Sequence, residues 1–162
     1  MVTKLQNPPF DIFDVVIIGG AMIGSSVAWF LSNNDDFDGR ILVVERDPTY
    51  EQSSTTRTNS CMRQQFSSEL NIRISQFAAD FVRDFRGYMG GDPAVPDLHV
   101  HHFGYMYLAN NESFASRLRD SHAVQAACGG ATRLMSPEEI TAAYPFYQLD
   151  DIVLGSHNTI DE

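Results

Sequence analysis

Three rhythms of hydrophobic and polar positions run along the chain. Asp14-Val15-Val16-Ile17-Ile18 is a continuous β-branched run, the pattern of a strand buried on both faces in a parallel sheet. Gly19-Gly20-Ala21-Met22-Ile23-Gly24 follows at once, and beyond Ser25 the residues Val27, Ala28, Phe30 and Leu31 recur at helical spacing. A polar connection over 33–39 leads to Arg40-Ile41-Leu42-Val43-Val44-Glu45, a second apolar run ending in a carboxylate. Strand, helix and strand make a βαβ unit, for which a right-handed crossover is expected.

Residues 46–66 show no usable period and are rich in Ser, Thr, Arg and Gln. A structureless stretch of that length inside a compact domain usually serves a function. The next segment has the clearest helical stripe, formed by Leu70, Ile74, Phe77, Ala78, Phe81, Val82 and Phe85. Ser67 or Ser68 can cap its start, Glu69 suits its positive end, and Gly87 is expected to stop it. Gly90-Gly91-Asp92-Pro93 then breaks the pattern. That break divides the chain into 1–88 and 89–162. In the second part a strand is expected over 102–109, with Tyr105 and Tyr107 on one face. A helix over 112–128 follows, closed by Gly129-Gly130. Ser136-Pro137-Glu138-Glu139 combines an N-cap, a proline at the first helical position and a capping-box glutamate, and Pro145 ends that helix. Ile152-Val153-Leu154 reads as one more strand.

Composition narrows the function. Among 162 residues, 21 Asp and Glu against 11 Lys and Arg leave a formal charge of -10, which disfavours nucleic acid and anionic membrane surfaces as partners. Cys61 and Cys128 lie far apart and outside any metal or redox spacing, as expected for reduced thiols and a cytoplasmic protein. Residues 1–13 carry one lysine and Pro8-Pro9 where a secretion signal needs a smooth apolar run. The apolar stretch over 15–31 is interrupted by Gly19, Gly20, Gly24, Ser25 and Ser26, so no membrane span is expected. His99, His101 and His102 read as an exposed strand edge, and no metal site is expected.

Chemistry concentrates in the glycine-rich turn. A dinucleotide fingerprint asks for glycine at its first, third and sixth positions, so that backbone can approach a pyrophosphate and a helix can aim free N–H groups at it. Here these positions hold Gly19, Ala21 and Gly24; the middle glycine is an alanine. Glu45 ends the second strand 21 residues after Gly24, where an acid reaches the ribose hydroxyls of an adenosine and repels a 2′-phosphate. The fold class is therefore α/β: a Rossmann-like dinucleotide-binding βαβ unit followed by the start of a mixed α+β substrate domain. FAD and NAD both use this fingerprint, and it leaves the choice open.

The run from Asp14 to Ala28, then Val43-Val44-Glu45-Arg46-Asp47-Pro48-Thr49-Tyr50, then Arg63-Gln64-Gln65-Phe66-Ser67, resembles the D-amino-acid-oxidase family of FAD-dependent oxidoreductases. That family includes sarcosine oxidase, glycine oxidase and dimethylglycine dehydrogenase. The resemblance implies FAD as cofactor, with Gly19, Gly20, Ala21, Met22, Ile23, Gly24, Glu45 and Arg46 at its dinucleotide end. It implies that Ser53, Ser54 and Thr55 contact the pyrophosphate and ribityl chain, and that Asn59, Ser60, Cys61 and Met62 run past the isoalloxazine. Arg57 stands where dehydrogenases of the family attach flavin through histidine, so non-covalent binding is expected there.

Arg63 offers a planar fork for an anionic substrate or the flavin carbonyls, with Gln65 beside it; pairing with acidic neighbours is the structural alternative. What the resemblance implies as activity is oxidation of the C–N bond of a small amine or amino acid, of N-methyl or D-amino-acid type, by hydride transfer to flavin N5. No catalytic residue is singled out. An NAD-dependent dehydrogenase and a non-catalytic dinucleotide-binding module remain as alternatives. Two strands do not complete a doubly wound sheet, so a C-terminal part or a second polypeptide is expected to complete the fold, and the 162 residues alone are expected to be inactive.

Overall fold

The computed structural model describes residues 7–160. Part of the N-terminal stretch read for a secretion signal, and the final Asp161-Glu162, lie outside the described residues. The chain divides into two compact units, one ending at Ser60 and the other beginning at Cys61. The division read from sequence fell after residue 88. The long helix after the polar loop falls within the second unit, where it packs against the helix over 112–127, and Gln76 Nε2 donates to the Cys128 carbonyl at 3.0 Å.

The first unit contains β1 (Val15–Ile18), α1 (Met22–Ser32) and β2 (Ile41–Val44). The strands pair in parallel, with Val15 opposite Ile41 and Ile18 opposite Val44, and α1 packs on both. The helix covers one sheet face. Ile17 Cγ2 lies 3.1 Å from where a Cβ on Gly24 would stand, whereas Ile18 on the other face is 90% exposed. Among the described residues the sheet is covered on one face, as expected of two strands that do not by themselves complete a doubly wound sheet. No described helix is long and apolar enough to cross a membrane.

The turn between β1 and α1 explains its own composition. Gly19 has φ +97°, a conformation that side-chain-bearing residues rarely adopt. Ala21 caps α1 with φ −68° and ψ −164°, ordinary backbone for any residue, so alanine at the fingerprint's middle position carries no strain. At Gly24 a Cβ would stand 1.8 Å from the Gly19 carbonyl oxygen, so only glycine lets the helix come so close to the strand end.

The second unit contains α2 (Glu69–Arg83), α3 (Phe85–Tyr88), β3 (Tyr105–Ala109), α4 (Glu112–Ala127), β4 (Arg133–Met135), α5 (Pro137–Ala143) and β5 (Leu154–Asn158). Its antiparallel sheet has the order β3-β5-β4. Every buried apolar side chain among the described residues belongs to this unit, including Ile72, Leu118, Met135 and Ile140. The expected capping box forms: Ser136 N–H donates to Glu139 Oε2 at 2.7 Å, and Glu139 N–H to Ser136 Oγ at 3.3 Å.

Four local readings are corrected. Gly87 does not stop α2; the helix breaks at Asp84 and Gly87 lies inside α3. The strand expected over 102–109 starts at Tyr105, because Gly104 turns the chain with φ +85°. His99, His101 and His102 therefore lie on irregular backbone and not on a strand edge. β4 has no counterpart in the sequence reading, and β5 lies beyond the apolar triplet 152–154, on Leu154-Gly155-Ser156-His157-Asn158.

Two outcomes follow from these packings. Ala21→Gly is expected to cost a few tenths to about 1 kcal/mol through unfolded-state entropy, and Gly24→Ala about 2 to 3 kcal/mol through overpacking against the Gly19 carbonyl; urea unfolding of both variants measures the difference. His157 is buried, and desolvation, with the Arg133 charge beside it, lowers its pKa from the usual 6.5. The folded state thus favours the neutral ring. The unfolded chain takes up a proton as pH falls below about 6.5, and stability should fall from there down to the lowered folded value. In a pH series of thermal midpoints, His157→Gln should flatten that decline.

Candidate functional site

In the first unit the end of β2 closes on the turn after β1. Glu45 Oε2 accepts from the Gly20 N–H at 2.7 Å, and Oε1 accepts from the Asp47 N–H at 2.8 Å. These two backbone donors, Asp47 foremost, hold the Glu45 carboxyl below its usual value and keep it ionised. Each oxygen retains a second lone pair for a ribose hydroxyl. The N-cap Ala21 supplies no side-chain acceptor, so the first-turn N–H groups of Met22, Ile23 and Gly24 keep their donor capacity and the positive end of the helix dipole. The side chains of Met22 and Ile23 are exposed.

A groove of about 440 Å³ runs past these groups, lined by Gly19, Ala21, Glu45, Arg46 and Ser53. Asp47, Tyr50 and Gln52 also line it; the sequence reading did not single them out, because nothing in a Ser/Thr-rich loop marks which residues fold back. The loop is tied to itself. Asp47 accepts from the Thr49 hydroxyl at 2.6 Å and from its N–H at 3.1 Å, which lowers the Asp47 carboxyl. The Ser53 hydroxyl lies 2.8 Å from that of Thr56. Arg57 Nε donates to the Glu51 carbonyl at 3.2 Å, and Nη2 donates to Gln52 Oε1. Ser54, Thr55, Asn59 and Ser60 are exposed and are not part of the groove lining.

The second unit has its own cavity, of about 330 Å³, lined by Cys61, Met62, Arg63, Phe66, Ser75, Ala78 and Tyr105. The sequence reading names Cys61 and Met62 for the flavin and Arg63 for the substrate, and the cavity brings them together; Phe66, Ser75 and Tyr105 are not singled out there. The alternation of Tyr105 and Tyr107 on one strand face was the available signal. Arg63 is held on an aromatic bed. Its guanidinium carbon lies 4.6 Å from the Phe66 ring centroid, 5.8 Å from Tyr107 and 6.0 Å from Tyr105, and Nη1 donates to the Tyr107 hydroxyl. The structural alternative, pairing with an acidic neighbour, is not what holds it. Gln65 serves the sheet. It is buried, its Nε2 donates to the Tyr105 carbonyl at 2.6 Å, its Oε1 accepts from the Ser156 hydroxyl at 3.0 Å, and it lies outside the cavity lining.

Comparison with known proteins follows the same lines. Curated relatives named FAD-dependent oxidoreductase domain-containing protein 1 include one from Xenopus laevis, 34% identical over 164 residues, covering 99% of this chain and 32% of that protein. The one from Bos taurus is 37% identical over 153 residues, covering 92% and 31%. The chain thus spans about a third of the length of these relatives. Among solved structures, L-proline dehydrogenase from P. horikoshii superposes with a TM-score of 0.68 at 22% identity, covering 90% of this chain and 36% of that one. Glycine oxidase from Bacillus cereus ATCC 14579 gives 0.64 at 18% identity, covering 91% and 39%; these two show a shared fold. The pattern of the DAO family, FAD dependent oxidoreductase, matches residues 14–160, and the chain belongs to that family.

Proposed function

We propose that the protein oxidises the C–N bond of a small amine or amino acid, of N-methyl or D-amino-acid type, with non-covalently bound FAD. The observation that carries the reading is the Glu45 carboxylate closed on the Gly20 N–H, which puts an ionised acid beside a glycine turn and an uncapped helix start. The residues fit an adenine dinucleotide. A Cβ on Gly19 would meet nothing within 4 Å, so the turn is open where a phosphate would approach, and Glu45 keeps lone pairs for ribose hydroxyls while disfavouring a 2′-phosphate.

Gly19, Gly20, Ala21 and the first-turn amides of α1 would hold the diphosphate, Glu45 the ribose, and Ser53 a more distal part. Arg57 is engaged with Glu51 and Gln52, which supports non-covalent attachment at this loop. When bound, FAD supplies the two-electron acceptor for the oxidation. For the substrate we assign the Arg63 cavity. Stacked on Phe66 and hydrogen-bonded to Tyr107, the guanidinium is fixed in orientation and retains N–H groups for a carboxylate. The apolar neighbours Met62, Phe66 and Ala78 line the same cavity and would face the substrate's carbon skeleton.

Replacing Glu45 with Gln leaves one acceptor and sets an amide NH₂ against a backbone N–H, so FAD should bind on the order of tenfold or more weakly. Titration of flavin fluorescence measures this, and unchanged affinity would remove the ribose assignment. Arg63→Lys keeps the charge and loses the fork. It should raise KM for an amino-acid substrate by about tenfold while changing KM for an amine without a carboxylate by much less. Steady-state kinetics on such a pair of substrates reads the contrast, and equal effects would count against a carboxylate at Arg63.

A further inference from the structure

We propose that Tyr50 is a further dinucleotide-binding residue, whose hydroxyl donates a hydrogen bond to a phosphate oxygen of the diphosphate held at the turn after β1. The proposal rests on the reading of that turn as the FAD site and names a contact that neither the fingerprint nor the loop composition supplies. Three observations converge on it.

The first is backbone conformation. Tyr50 has φ +57°, and among the described residues only Ser60 shares the left-handed region without being glycine. A bulky side chain there crowds the backbone, and such a residue persists where its surroundings over-determine it. Two backbone bonds hold it: the Tyr50 N–H donates to the Asp47 carbonyl at 3.1 Å, and the Ser53 N–H to the Tyr50 carbonyl at 2.9 Å. The Asp47–Thr49 bonds and the Arg57 tie close the same loop.

The second is where this conformation sends the ring. A Cβ on Gly20 would lie 3.2 Å from the Tyr50 hydroxyl oxygen and 3.2 Å from Val43 Cγ1. Gly20 is not a fingerprint position and its φ is not positive, so turn geometry does not explain why it lacks a side chain. A Cβ there would crowd the Tyr50 hydroxyl, Val43 and, at 3.4 Å, the Glu45 Cβ, which places the Tyr50 hydroxyl against the glycine turn beside Glu45. The third is the state of that hydroxyl. It lines the groove with Gly19 and Ala21, and no described side chain or carbonyl takes its proton.

The chemistry matches the place. Glu45 brings negative charge to this groove, so a diphosphate docking there depends on donors. The first-turn amides of α1 supply some, and a neutral phenol adds one that forms no ion pair with Glu45. The expected ligand feature is therefore the diphosphate, not the adenosine.

Tyr50→Phe keeps the ring and the backbone requirement and removes only the donor. Affinity for FAD, read by quenching of flavin fluorescence, and for ADP, read by calorimetry, should fall about fivefold to tenfold. Affinity for adenosine and the thermal midpoint of the apoprotein should not change. Tyr50→Gly should lose the same affinity while raising the apoprotein midpoint, since it relieves the left-handed backbone. A change of less than twofold in ADP affinity in either variant, or an equal loss for adenosine, overturns the proposal and leaves the FAD reading intact. An unmodified protein that binds neither FAD nor ADP overturns the FAD reading as well.

Discussion

The first unit depends on one carboxylate. Glu45 sits at the end of β2 and grips the turn that leaves β1, adding a side-chain tie to the backbone bond from the Gly19 N–H to the Val44 carbonyl at 2.8 Å. Its second oxygen, bonded to the Asp47 N–H, begins the loop that folds back along the groove. Being ionised is a condition of both bonds, because a protonated carboxyl would set an O–H against a backbone N–H. On the proposed reading, the group that ties the turn would also carry negative charge to the ribose end of a dinucleotide. Gly24 lets the helix press onto the Gly19 carbonyl that completes the turn.

The second unit reaches preorganisation by another route. Arg63 is immobilised by rings and a phenol hydroxyl, and the bed beneath it is itself pinned: Gln65 ties the chain to the Tyr105 carbonyl and to Ser156, while Gln125 Nε2 donates to the Phe66 carbonyl at 3.0 Å. An arginine stacked on aromatic faces loses little rotamer entropy when it meets an anion, and its remaining N–H groups keep the fork. A lysine could occupy the same volume without presenting that geometry.

The parts legible in the sequence were those with local causes. β-branched runs gave β1 and β2, the apolar stripe gave α2, and Ser136 with Glu139 gave α5, since each signal lies within a few residues of the element it specifies. β5 escaped because it is central and polar. Ser156, His157 and Asn158 are buried there, satisfied by Gln65, Tyr144 and Thr132, partners up to 91 positions away. Local alternation carries no trace of such partners. The candidate groove shows the same division. Gly19 and Glu45, which line it, stand out from spacing, whereas Tyr50 and Gln52 reach it through a positive φ and an arginine tie, and nothing local marks that Gln65 bonds the sheet.

The distribution of burial adds a coupling between ligand and fold. In the described part of the first unit the fully buried residues are Gly20 and Gly24, which contribute no apolar side chain, while Val16, Ile18, Val27 and Phe30 stand exposed. The turn after β1 is tied by the backbone bonds to Glu45. A ligand that binds only the folded turn stabilises it by mass action, about 2.7 kcal/mol when its concentration is 100 times Kd. That is comparable with burying a whole leucine or phenylalanine side chain. On the proposed reading, a dinucleotide held at the turn would therefore couple its binding to the folding of the segment that presents Glu45.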